Sequence, residues 1–151
     1  MIISTRENVT GYRVTRVLAL VGGMLCLVQL YVYSRTQVSV LDEGAYLYKG
    51  FLFTRGDYSI YQDFGPWSNH MPLSFFIPGF VQYLFGPGIQ TGRYFSITLT
   101  LFMLLGLWIT ARRFSGSWWA ALLVWIFALN PAVLKIYSIA VPQSLVVCML
   151  V

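Results

Sequence analysis

Two adjacent carboxylates, Asp42 and Glu43, stand in the stretch Ser39-Val40-Leu41-Asp42-Glu43-Gly44-Ala45-Tyr46. One chemistry open to them is structural: Ser39 and Asp42 have the spacing of a capping box, and acids in a first turn suit the helix dipole. The other is catalytic, since acids held at a membrane face among aromatics can have raised pKa values and act as general bases. Farther on, Ser68-Asn69-His70-Met71-Pro72-Leu73 places the single histidine at the entry to a short apolar segment. There His70 serves either as a structural hydrogen-bonding group or, beside free N–H groups of a helix start, as a contact for an anion such as a lipid phosphate. Between these motifs, 56–65 (Gly-Asp-Tyr-Ser-Ile-Tyr-Gln-Asp-Phe-Gly) reads as a solvated loop with turn-forming Gly and Asp. Asp42, Glu43, Asp57 and Asp63 are scattered, with no Asp-x-Asp pair, so neither a metal nor another cofactor is expected. Lys49, Arg55 and Arg93 read as interface anchors, although an anionic lipid substrate would also suit them.

The elements that must position these groups are apolar. The 151 residues are 58% hydrophobic and 10% charged, more apolar surface than a soluble domain of this size could hide. Charge is absent from 17–34, 94–111, 114–134 and 136–151. A hydrocarbon core of about 30 Å needs about 20 apolar residues, which the first three runs approach or meet. The expected architecture is all-α, a polytopic transmembrane helix bundle with a long outer loop carrying juxtamembrane helices. Its expected parts are a cytoplasmic N-terminus (1–16), spans at 17–34, 94–111 and 118–134, an outer loop (35–92), a cytoplasmic turn (112–117) and the start of a fourth span (136–151). The last run stops at residue 151, so the chain is expected to be the N-terminal piece of a longer protein, or a truncated product of one. The segment 72–85, short and interrupted by Pro78-Gly79, reads as re-entrant or juxtamembrane rather than spanning.

Arg6, Arg13 and Arg16 precede the first run with only Glu7 to oppose them, which predicts a cytoplasmic N-terminus. With 72–85 not crossing, Arg112 and Arg113 fall on the same side, as the positive-inside rule asks. The net charge of +5 therefore marks topology and the lipid bilayer, not nucleic acid. Cys26 and Cys148 lie inside apolar runs as small hydrophobes.

The order of short motifs resembles a known family. Asp42-Glu43-Gly44-Ala45-Tyr46 is followed by Gly56-Asp57-Tyr58, Tyr61-Gln62-Asp63-Phe64, His70-Met71-Pro72-Leu73, Leu84-Phe85-Gly86, Gly92-Arg93-Tyr94-Phe95-Ser96, Ala111-Arg112-Arg113-Phe114-Ser115-Gly116 and Asn130-Pro131. Over about residues 12–145 this is similar to the N-terminal part of the GT-C superfamily of membrane glycosyltransferases, nearest the protein mannosyltransferase and lipid A aminoarabinose transferase branch. The family's Lys/His-Pro-Pro-Leu stands here one proline short, and Pro142-Gln143 occupies the place where many members carry an acid. The resemblance also implies later spans, without which this piece alone is expected to be inactive.

The resemblance implies an inverting glycosyltransferase of the plasma (inner) membrane, taking a sugar from a polyprenyl-phosphate donor to a hydroxyl of a glycan, lipid or protein. It implies Asp42 as general base, Glu43 as its positioning or polarising neighbour and His70 at the donor phosphate. Asp63, Arg93 and Tyr46 are the remaining substrate-binding candidates. The competing class is a non-enzymatic polytopic membrane protein, a transporter fragment or a scaffold subunit. Transporters bind at the midplane through intramembrane charges, and the uncharged runs here favour surface chemistry instead.

Overall fold

The structure is a computed structural model and describes residues 9–59, 62 and 72–150. Among these residues it is all-helical, without strands. Seven helices follow in order: α1 (Val9–Thr36), α2 (Leu41–Arg55), α3 (Pro72–Phe85), α4 (Ile89–Ser115), α5 (Ser117–Ala128), α6 (Pro131–Tyr137) and α7 (Pro142–Leu150). Two of them, α1 from Gly11 and α4, are long and apolar enough to cross a membrane; α5 and α6 together pass the same test as a bent pair.

α1 and α4 run antiparallel, as two contacts show. At one end the Arg112 Nη2 donates to the Tyr12 hydroxyl at 2.9 Å. At the other, Arg93 reaches the carbonyls of Ser34, in the last turn of α1, and of Gln37, just beyond it. Between these ends Cys26, Leu30, Ile97, Leu104, Val124, Ala128 and Leu134 form the core that joins α1, α4, α5 and α6. Gly22 makes room for α5, since a Cβ there would press on Val124 and Trp125.

The run 118–134, expected as one span, is not a single straight helix. It breaks after Ala128, and the two parts meet at 74°. The cause is local: the Asn130 side chain accepts from the N–H groups of Ala132 and Val133, and Pro131 opens the new helix. Proline has no N–H to continue α5 but suits a first helical turn. Even so, the pair travels the length of α1. Ser117 follows directly on the Arg112 end, whereas Ala140, three residues beyond α6, lies against Glu43 at the far end.

α2 and α3 form a hairpin packed against that far end. Their backbones touch at Gly50 and Gly79: a Cβ on Gly50 would collide with the Phe75 carbonyl oxygen, and one on Gly79 with the Gly50 carbonyl. Buried Gln82 ties the hairpin to the start of α4, donating to the Leu47 carbonyl at 2.7 Å and accepting from the Gly88 N–H at 3.3 Å. Gly92 then lets α2 and the α6–α7 connection close on α4, because a side chain there would strike Leu47 and Ala140.

Candidate functional site

Four residues separate α2 from the end of α1, and α2 carries both acids in its first turn. The expected capping box is absent. Val40, not Ser39, is the N-cap and makes no side-chain cap bond, while the Ser39 hydroxyl donates to the Val40 carbonyl. With Val40 as N-cap, the third helical position is Glu43, and its carboxylate is drawn inward instead of reaching back to the helix start.

Glu43 is fully buried. Its Oε1 and Oε2 accept from the Arg93 Nε and Nη2, each at 2.8 Å, in a bidentate pair. Oε1 also accepts from the Ala140 N–H at 2.9 Å. The remaining guanidinium nitrogen, Nη1, donates to the carbonyls of Ser34 at 2.6 Å and Gln37 at 3.0 Å. Arg93 is itself 2% exposed. The last carbonyls of any helix lack intrahelical partners, and Arg93 supplies one for Ser34 in the last turn of α1. One ion pair therefore fastens α1, α2, α4 and the α6–α7 connection together.

The electrostatics of Glu43 reflect these contacts. Burial alone pushes its carboxyl up, but the Arg93 hydrogen bonds, the Ala140 N–H and the Arg93 charge together hold it below the usual carboxylate range. The raised value expected of an acid among aromatics is thus reversed at Glu43. Both its oxygens are occupied, so it acts by holding α2 in place.

Asp42 is exposed. Successive residues on an α-helix point about 100° apart, so turning Glu43 into the packed interior turns Asp42 out of it. Among the described residues no side chain forms an ion pair with Asp42. Tyr46, one turn on and half-buried, stacks on Phe75 of α3 at 4.9 Å between ring centroids. Lys49 is buried, its ammonium 4.3 Å from the Phe75 ring centre and 5.7 Å from that of Tyr58. Arg55 pairs with Asp57 at 3.2 Å on the surface. His70 and Asp63 lie outside the described residues.

No protein family, curated protein or solved structure matches the chain. The site therefore rests on its own geometry.

Of the sequence candidates, the structure joins Glu43 to Arg93 and sets Asp42 and Tyr46 on the same helix beside them. Sequence reading took Arg93 as an interface anchor at the edge of the run 94–111 and as a substrate-binding candidate, and missed its partner, 50 residues away. It missed Lys49 as a buried cation as well. The signal for Arg93 was a lone cation at the border of an apolar run, facing a loop that holds most of the acids. Among the described residues no cluster of three or more His, Cys, Asp or Glu could hold a metal ion. What the arrangement offers chemically is one solvent-facing carboxylate on a rigidly fastened helix, at the mouth of two helices long enough to cross a membrane.

Proposed function

We propose that this chain contributes the catalytic carboxylate of an inverting glycosyltransferase of the GT-C kind, acting at the outer face of the plasma membrane on a polyprenyl-phosphate sugar. In this reading the chain is multi-pass, with α1, α4 and the bent α5–α6 pair as crossings and the N-terminus cytoplasmic. The observation that carries the reading is the division of labour between neighbours: Glu43 is consumed by Arg93, and Asp42 is left exposed where α1 ends.

The acceptor oxygen attacks the anomeric carbon, the bond from that carbon to the phosphate oxygen breaks, and polyprenyl phosphate leaves as an anion. A phosphate leaving group needs no general acid. The acceptor hydroxyl proton passes to the Asp42 carboxylate, and attack opposite the phosphate inverts the configuration. Glu43 and Arg93 act as positioning residues, fixing the height and rotation of α2.

The test is transfer from a polyprenyl-phosphate sugar by membranes containing the protein. Asp42→Asn keeps the shape and removes the base, so the rate should fall by about 10²–10⁴. Asp57→Asn, which only frees a surface ion pair, should cost far less. If Asp42→Asn kept more than about a tenth of the rate, Asp42 would be structural. The burial of both Glu43 and Arg93 in a fastening role also favours a second reading, a non-enzymatic scaffold. That reading predicts no transfer by either the parent protein or the variant.

A further inference from the structure

The opposite end of the molecule carries a positive cluster that no acid among the described residues neutralises. Arg13 and Arg16 lie near the start of α1, Arg112 and Arg113 near the end of α4, and Tyr12 stands between the two helices. The Arg16 guanidinium lies 5.1 Å from the Tyr12 ring centre and that of Arg112 4.6 Å. Arg112 also lies 5.4 Å from the Trp108 ring. Among the described residues the acids are Asp42, Glu43 and Asp57, all in or just after α2 at the far end, so none balances this charge.

A groove of about 530 Å³ runs along α1, α4 and α5 from this cluster. Arg16 lines it together with Leu20, Gly23, Leu27, Leu104 and Trp108. Its volume falls in the range of small-molecule sites, roughly 300–1,000 Å³. Gly23 faces this open space, since a Cβ placed there would meet nothing within 4 Å. Leu20 and Met24 remain 69% and 61% exposed on its rim.

We infer that this groove seats one acyl chain of an anionic phospholipid, with the lipid phosphate on Arg16 and Arg112. Charge decides the occupant. A further apolar helix would fill the groove but leave the arginines unmatched, and a zwitterionic lipid would match them only in part. An anionic lipid uses both features, and basic pockets between membrane helices hold such head groups. The inference stands apart from the proposed sugar transfer, whose carboxylate lies at the other end of α1.

The test titrates dioleoyl phosphatidylglycerol and dioleoyl phosphatidylcholine into the detergent-solubilised chain and follows bound lipid by native mass spectrometry. The wild-type protein should prefer phosphatidylglycerol, by about fivefold for each arginine engaged. Arg16→Gln with Arg112→Gln should abolish the preference, and Arg16→Lys with Arg112→Lys should keep most of it. Gly23→Phe should weaken binding of both lipids by filling the groove. Should a variant fail to fold, the wild-type ratio and a photo-reactive residue at Leu20 still decide, and that residue should cross-link lipid. Equal binding of the two lipids overturns the inference. So does glycerol phosphate competing as well as the intact lipid, or cross-linking at Leu20 to a second copy of the chain.

Discussion

At the scale of single residues, Glu43 and Arg93 stabilise only as a pair. Removing water from either charge is costly, and the bidentate geometry together with the Ala140, Ser34 and Gln37 contacts offsets that cost. Breaking such a pair leaves a buried charge alone and costs about 3–5 kcal/mol. Arg93→Met should therefore lower the denaturation midpoint in detergent sharply. The double change Glu43→Leu with Arg93→Met should recover part of the loss, although the Ala140 N–H and the Ser34 and Gln37 carbonyls lose these partners. The pH dependence stems from the depressed carboxyl of Glu43. Its contribution is complete above the ordinary value of 4.5 and is lost as pH falls through the lower folded-state value. Thermal stability should thus hold down to about pH 5 and decline below it. Glu43→Gln should flatten that acid limb; an unchanged limb would show that the ionised form adds nothing. The residue types of this site were legible in the sequence, because acids and a lone arginine stand out in an apolar chain. Their pairing was not, since it depends on which faces of α2 and α4 meet, and glycine at position 92 settles that through its close approach to Leu47, far from it in the chain.

At the scale of elements, small residues decide how closely helices approach. The α2–α3 crossing depends on Gly50 and Gly79, where the obstructing atoms are backbone carbonyls that cannot swing aside. Gly79→Ala must push the helices apart and disturb the Tyr46–Phe75 stack. A clear loss of stability is expected from the denaturation midpoint. Gly44 in the same hairpin faces open space, so Gly44→Ala should stabilise by about 0.5–1 kcal/mol through helix propensity alone. A similar effect from the two changes would mean that the crossing is loose. The long uncharged runs announced α1 and α4, and the short apolar stretch with its internal Pro78 announced a separate helix at Pro72–Phe85. The break in the third run was written in Asn130-Pro131 but hidden by composition. Hydropathy counts apolar residues without regard to the missing N–H and the side-chain cap that divide them.

For the whole molecule, the two ends of α1 differ in charge, and that difference predicts how the chain sits in a bilayer. Arg13, Arg16, Arg112 and Arg113 share one end, which the positive-inside rule places in the cytoplasm. Asp42, Glu43 and the α2–α3 hairpin share the other end. The broken α5–α6 pair begins beside Arg112 and delivers Ala140 to Glu43, so it runs from the first end to the second instead of folding back. The proposed topology, with three crossings and the hairpin on the outer face, is compatible with these contacts, and the α3 helix, at 14 residues, needs no crossing of its own. Cysteines introduced one at a time at Ser59 and Ser115, both exposed positions, in a Cys148→Ser background should report the two sides. In intact cells an impermeant thiol reagent should label the cysteine at 59 and spare the one at 115, and permeabilisation should expose the latter. Buried Cys26 should stay silent in both conditions. Labelling at 115 with protection at 59 would invert the topology, placing Asp42 on the cytoplasmic face and removing the basis for transfer from an outer-face lipid carrier.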